Sequence, residues 1–80
     1  MNNLLRLPAV MERTGLARPT VYLRAKQGLF PRPVKLGSRM AAWPENEVAA
    51  INAARIAGKS DDEIRELVAR LERERAERAA

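Results

Sequence analysis

The side chains that offer the most chemistry in this sequence are basic, and they are concentrated in its first half. Residues 1–44 carry eight Lys or Arg side chains and one acid, Glu12, a net charge of +7. Residues 45–80 carry seven basic and nine acidic side chains, a net charge of −2. Because each phosphate neutralised by Lys or Arg releases counterions from a nucleic acid, this segregation favours a polyanionic partner. A solvated basic surface is the alternative explanation of the charge alone.

The sequence lacks several of the side chains that most enzymes use for catalysis. The chain has no Cys and no His, so it lacks a thiolate nucleophile, a disulfide, the usual zinc ligand and the commonest general base. Asp61 and Asp62 lie between Ser60 and Glu63, which is the pattern of a helix capping box and not of a catalytic pair. We therefore expect no enzyme activity, no metal site, no cofactor and no small-molecule substrate.

Residues 18–27 form the candidate nucleic-acid helix. Val21 and Ala25 are small and four residues apart, as one packing face requires. Long polar side chains on the remaining faces of such a helix can reach base edges in a major groove or contact phosphates. The side chains of this kind are Arg18, Thr20, Tyr22, Arg24, Lys26 and Gln27.

Proline and glycine residues that begin or end helices indicate that this helix is the second of a helix-turn-helix. A first helix is expected over residues 8–14, because Pro8 suits a first turn and Gly15 suits the left-handed position after a helix end. Gly28 is the corresponding stop of the second helix. Pro31 then forces the chain into an extended conformation.

A short hairpin is predicted after the two helices. Residues 34–43 have the pattern of two strands around a turn at Gly37 and Ser38, and a hairpin this short must lie against the helices as a wing. Lys35, Ser38 and Arg39 would then lie near its tip, where cations can hold phosphates or enter a minor groove. An ordinary solubilising hairpin is the alternative. Trp43 and Phe30 are expected in the core.

Two further helices complete the predicted chain. The third opens at Pro44 and ends near Ala57, and the fourth follows the capping box and runs to about residue 78. An apolar stripe at helical spacing marks the fourth helix. It either completes the core or forms an oligomerisation or partner surface. The stripe consists of Ile64, Leu67, Val68 and Leu71.

The predicted fold is therefore mainly α, a winged helix-turn-helix with a two-stranded β wing and an added C-terminal helix. We divide it into a DNA-binding domain over residues 1–58 and a C-terminal amphipathic helix over residues 59–80. The sequence has neither the apolar run of a signal peptide nor that of a membrane span, so we expect a cytoplasmic, nucleoid-associated protein without a membrane partner.

Two segments resemble a known family. The segments LLRLPAVMERTGLARPTVY, residues 4–22, and GLFPRPVKLGSRMAAWPENEV, residues 28–48, are similar to the AlpA family of small phage-type regulators, whose fold is a MerR-like winged helix related to the excisionases. The resemblance covers about residues 4–57 and implies that the second helix enters the major groove while the wing touches the backbone or an adjacent minor groove. By position this role carries over to Arg18, Thr20, Tyr22, Arg24, Lys35 and Arg39.

The sequence departs from the family pattern at two positions. Ala17 stands where family members usually have Ser or Thr, so a helix cap worth about 1 kcal/mol is lost. Leu23 stands where they usually have Arg, so it would either pack on the wing or touch a thymine methyl group.

The expected function is sequence-specific binding of double-stranded DNA. The protein would act as a transcriptional regulator of a prophage or integrative element, as an excisionase that sets the direction of recombination, or as both. Self-association on DNA and contact with an integrase are the partner interactions this implies. The alternative is a protein-interaction adaptor that uses the C-terminal apolar stripe and does not bind DNA.

Overall fold

The computed structural model describes residues 3–79, and the side chains of residues 3–77. Met1, Asn2 and Ala80, which the predicted domain ranges include, lie outside the described residues. The described elements are β1 (Leu4–Leu5), α1 (Leu7–Thr14), α2 (Arg18–Lys26), β2 (Val34–Lys35), β3 (Ala41–Pro44), α3 (Glu45–Ile56) and α4 (Asp61–Ala79). The predicted class, a mainly α winged helix-turn-helix, is confirmed. None of the helices within residues 3–79 has the length and hydropathy of a membrane span.

The sheet has three strands where the sequence predicted two. β3 lies in the middle and pairs antiparallel with β1 on one side and with β2 on the other. The sequence did not reveal β1, because two residues carry no alternating pattern and their partner lies far along the chain. The paired residues are Leu4 with Pro44, Leu5 with Trp43, Val34 with Ala42, and Lys35 with Ala41.

Two predicted boundaries shift at β3. The strand begins at Ala41, after the position expected from the hairpin pattern. Pro44 was predicted to open the third helix, but it is the last residue of β3 and occupies the N-cap position of α3. Proline has no N–H to donate to a neighbouring strand, so it is disfavoured inside a paired strand, and here it stands at the last position of β3.

α2 ends in a Schellman motif that turns the chain toward the wing. Gly28 has a φ of +77°, the left-handed conformation that glycine adopts without strain. The N–H of Leu29 donates to the carbonyl of Arg24 at 2.8 Å, and the N–H of Gly28 donates to the carbonyl of Ala25 at 3.2 Å. These bonds satisfy two carbonyls at the helix end and reverse the chain direction immediately after α2.

The aromatic core fixes the segment between α2 and β2. Trp43 and Phe30 are 0% and 1% exposed, with ring centroids 6.4 Å apart, so their predicted core position is confirmed. The indole Nε1 of Trp43 donates to the carbonyl of Pro31 at 2.8 Å. This bond satisfies a buried polar group and holds the proline segment against β3.

α4 belongs to the same core as the preceding elements. Its capping box is present, because the N–H of Ser60 donates to Glu63 Oε1 at 2.9 Å and the N–H of Glu63 donates to Ser60 Oγ at 3.2 Å. The apolar stripe of α4 faces inward: Ile64, Val68 and Leu71 are buried, and Leu67 packs partly buried against them. The stripe therefore completes the core and is not an open oligomerisation surface. The cluster of buried side chains to which it belongs contains residues from both sides of the predicted division at residue 58.

Candidate nucleic-acid interface

α2 and the wing, the hairpin formed by β2, β3 and their connecting loop, lie side by side. Tyr22 of α2 packs on Trp43 of β3, with ring centroids 6.0 Å apart and an angle of 59° between the ring planes. The two elements therefore form one continuous surface. We call it the basic surface, after the cations it carries: Arg18, Arg24 and Lys26 on α2, and Lys35 and Arg39 on the wing.

The buried and outward faces of α2 are clearly separated. Val21 and Ala25 are 0% and 8% exposed, as their spacing predicted. Leu23 lies midway between them along the helix, on the opposite face, and is 53% exposed. The outward face is therefore centred on Leu23. The other exposed side chains of α2 are Arg18, Pro19, Tyr22 and Lys26, with Gln27 exposed at its C-cap, whereas Thr20 and Arg24 are half-buried.

The wing presents Lys35 on the side of α2. Residues that pair across strands share a face, and so do alternate residues along one strand. Lys35 pairs with Ala41, so it lies on the same face of the sheet as Trp43, against which Tyr22 packs.

The tip of the wing is closed by a further backbone hydrogen bond. The N–H of Leu36 donates to the carbonyl of Met40 at 2.8 Å. Gly37, Ser38 and Arg39 then form the connecting loop, and all three are exposed. The structure therefore brings Lys35, Ser38 and Arg39 to the exposed wing, as the sequence predicted.

The basic surface carries unneutralised charge. The sequence has no acid between Glu12 and Glu45. Among residues 3–77, none of the five cations of the basic surface makes an ion pair, which leaves their charge available to a partner. The ion-paired cations all lie elsewhere: Arg13, Arg32, Arg55, Lys59, Arg65 and Arg75.

The N-terminus of α2 adds to this positive potential. Ala17 occupies the N-cap position and provides no side-chain hydrogen bond, as its residue type predicted. The first-turn amides of Arg18 and Thr20 therefore lack a side-chain cap, and the helix dipole places partial positive charge there. Such an end favours an anion.

α4 holds the far end of α2 and the segment that leads to the wing. The Nε of Arg65 donates to the carbonyl of Gln27 at 3.1 Å. The Glu72 carboxylate accepts the backbone N–H of Arg32 at 2.9 Å and its Nη2 at 3.1 Å. Burial raises the pKa of Glu72, but the hydrogen bonds and charge of Arg32 outweigh it, so the pKa is lowered.

A buried ion pair completes this attachment. Arg75 Nε and Nη2 donate to Glu47 Oε2 and Oε1 at 2.9 and 2.6 Å, and Nη2 also donates to the carbonyl of Arg32 at 2.6 Å. The hydrogen bonds that Arg75 donates to Glu47 raise the pKa of Arg75 against the effect of burial. No local sequence pattern indicates this pair, because Glu47 has the position of an ordinary first-turn acid and its partner lies on another helix.

Comparison with known proteins identifies relatives of this chain. Residues 3–55 match the family model described as Prophage CP4-57 regulatory protein (AlpA). An Enterobacteria phage P4 protein named uncharacterized protein ORF88 is 47% identical over 55 residues, which cover 69% of this chain and 62% of that protein. The DNA-binding transcriptional activator AlpA of Escherichia coli K12 is 41% identical over 59 residues, which cover 60% of this chain and 84% of that protein.

The matches have defined limits. The chain spans less than two thirds of the phage P4 relative, and no solved structure matches it. The family match ends before α4, which begins at Asp61. Because the match nevertheless covers well over half of the 80 residues, the chain belongs to the AlpA family of prophage regulatory proteins.

Proposed function

We propose that the protein binds double-stranded DNA through the basic surface and acts as a transcriptional regulator of a prophage or integrative element. The observation that supports this most strongly is the absence of ion pairs, among residues 3–77, at the five cations of α2 and the wing. An α-helix with its side chains is about 10–12 Å in diameter, so α2 fits a major groove about 12 Å wide.

We assign base contacts to the outward face of α2 and phosphate contacts to its surroundings. Leu23 would contact a thymine methyl group, and Thr20 and Gln27 would offer hydrogen bonds to base edges. Arg18, Lys26 and the Tyr22 hydroxyl would contact phosphates on either side of the groove. Lys35, Ser38 and Arg39 would hold the backbone or enter the neighbouring minor groove.

Regulation of transcription is favoured by the E. coli relative, which is named a DNA-binding transcriptional activator. An excisionase would use the same contacts but would occupy several adjacent sites, bend the DNA and contact an integrase. A single small domain buries little surface on DNA, so we expect neighbouring copies to cooperate in either role. Footprinting counts the occupied sites and thereby separates the two roles.

Selection from a pool of random duplexes tests sequence-specific binding. We expect enrichment of a short motif that contains thymine at positions facing α2, and retention of the motif after the exposed Arg70 of α4 is changed to Met as a control. A pool that shows no enrichment would contradict specific recognition. A protein that retains no duplex at low salt would favour the adaptor alternative, although the apolar stripe assigned to that role lies in the core.

A further inference from the structure

A second basic feature lies on the flank of α2 that faces away from the wing. It is a cleft of about 220 Å³ between the turn that joins α1 to α2, α2 itself and α3. Leu16 and Ile51 contribute to its apolar lining, and Arg24 and Arg55 also line it. Among the described residues, no Asp or Glu lines the cleft.

The side chain of Arg55, one of the lining residues, has an unused donor. Its Nη1 is ion-paired with Asp61 at 3.2 Å, but its Nε is buried and has no hydrogen-bond partner among the described residues. A buried donor without a partner costs about 1–3 kcal/mol, and native structures contain few of them. The Arg55 Nε is thus poised to donate to an acceptor that the chain itself does not supply.

Arg24 adds a second cation beside it. The Arg24 guanidinium makes no ion pair with any of the described residues, and Asp61, the acid bonded to Arg55, is itself 60% exposed. Two arginines that line one partly apolar cleft, only one of them ion-paired, leave the cleft with net positive charge. An oxyanion in the cleft would be attracted by this charge and would accept charge-assisted hydrogen bonds from both arginines.

The polar neighbours do not compete for that position. The Thr14 hydroxyl donates to the carbonyl of Val10 at 2.7 Å, and the Asn52 amide donates to the carbonyl of Arg13 at 2.9 Å. Both groups are therefore held in place by backbone atoms, and the guanidinium groups are the donors left to bind an anion.

We propose that this cleft is a phosphate-binding site formed by Arg24 and Arg55. Tyr22 and Arg24 are two residues apart on α2, so they project from opposite flanks of the helix, Tyr22 toward the wing and Arg24 toward the cleft. A helix in a major groove has a phosphate backbone along each flank. The cleft would then hold a backbone phosphodiester on the side opposite the wing, and α3 becomes a third contact element. This choice of phosphate source rests on the proposed function.

Arginine side-chain NMR tests the site in the unaltered protein. Inorganic phosphate is titrated while the ¹H–¹⁵N cross-peaks of the arginine Nε–H groups are followed, and the titration is repeated with a duplex. We expect the Arg24 and Arg55 peaks to shift together and to saturate, while the peak of Arg70 on α4 does not move. If neither phosphate nor duplex shifts the two peaks, the proposal is wrong, whether or not the protein binds DNA elsewhere.

Paired variants identify the source of the phosphate. For duplex binding we expect Arg55→Met to reduce the slope of log K against log salt concentration by about 0.9, the value for one lost phosphate contact, and Arg70→Met to leave it unchanged. An unchanged slope in Arg55→Met, with parental DNA binding intact, would contradict the backbone contact. Peak shifts with inorganic phosphate in a protein that binds no duplex would instead support a free-phosphate site and contradict the proposed function. Circular dichroism checks the fold of both variants.

Discussion

Arg75 on α4 forms a bidentate ion pair with Glu47 on α3, and Glu47 is 0% exposed. The same guanidinium group donates to the carbonyl of Arg32, in the segment between α2 and the wing. A single side chain therefore joins α4, α3 and the approach to the wing. Because a buried pair has already lost its hydration, removal of Arg75 leaves the Glu47 carboxylate without the cation that neutralises it.

Arg75→Met is expected to lower the free energy of unfolding by about 3 kcal/mol. Methionine keeps much of the side-chain volume but leaves the Glu47 carboxylate buried without its cation. Thermal and urea unfolding followed by circular dichroism would measure the loss.

The double variant Glu47→Gln/Arg75→Met separates the ion pair from simple packing. We expect it to be more stable than Arg75→Met alone, because the uncompensated charge is gone. The matched control is Arg70→Met, which removes an exposed arginine of the same helix and should change the stability by less than about 0.5 kcal/mol. Additive losses in the double variant would show that the two residues are not coupled.

Acid should destabilise the protein in part through Glu72. The pKa of Glu72 is lowered in the folded state, so at moderately acidic pH the unfolded chain binds more protons than the folded one, and stability rises with pH. Its contribution is complete above the unfolded pKa and is lost as the pH falls through the lowered folded pKa. We expect Glu72→Gln to reduce the Tm at about pH 7 and the difference from the parent to shrink as the pH falls below the unfolded pKa and through the lowered folded pKa.

Glu63 contributes to the same acid transition. Hydrogen bonds from the backbone and hydroxyl of Ser60 lower the pKa of Glu63. A residual pH dependence should therefore persist in Glu72→Gln and be reduced further in Glu63→Gln/Glu72→Gln. A Tm difference between Glu72→Gln and the parent that is constant from pH 7 to pH 3 would rule out the linkage.

Ala17→Ser should stabilise α2. The backbone at Ala17 has a φ of −74° and a ψ of 158°, the extended geometry in which a serine hydroxyl can accept a first-turn N–H. We expect a gain of about 1 kcal/mol over the parent, measured by urea unfolding, with Ala17→Val as a comparison that supplies no hydroxyl. A serine variant no more stable than the parent and the valine variant would mean that the hydroxyl makes no cap.

Leu23 and Lys35 should affect DNA binding in different ways. Leu23→Ala removes an apolar group from the centre of the outward face, so it should relax the preference for thymine at one position by about 1 kcal/mol. Lys35→Ala should weaken binding to all sequences alike and reduce the salt slope by about 0.9. Fluorescence anisotropy with matched and substituted duplexes measures both, and the same pattern for the two variants would contradict these roles.

Local signals predicted most of the fold. Gly15 and Gly28 marked helix ends, the capping box marked the start of α4, and the alternation around Trp43 marked the hairpin. The features that were not predicted depend on residues far apart in the sequence. β1 exists only through its pairing with β3, and the buried Glu47 resembled a surface acid until α4 supplied Arg75.

The residues of the candidate site could be predicted from the sequence, but their arrangement in space could not. Composition and helical spacing located the cations of α2 and the wing. Spacing also contained the signal that Leu23 lies at the centre of the outward face, because it is half a turn from both Val21 and Ala25. The position of Arg24 beside Arg55 could not be predicted, because it depends on how α3 packs against the turn before α2.

The dependence of duplex binding on salt concentration tests the central claim most directly. The association constant of the whole protein for a mixed-sequence duplex is measured by fluorescence anisotropy from about 50 to 200 mM salt. We predict a linear fall of log K against log salt concentration, with a slope that decreases by about 0.9 for each of Lys35→Ala and Arg39→Ala and stays unchanged for Arg70→Met. Undetectable binding at the lowest salt concentration, or equal slopes in all three variants, would contradict DNA binding through the basic surface.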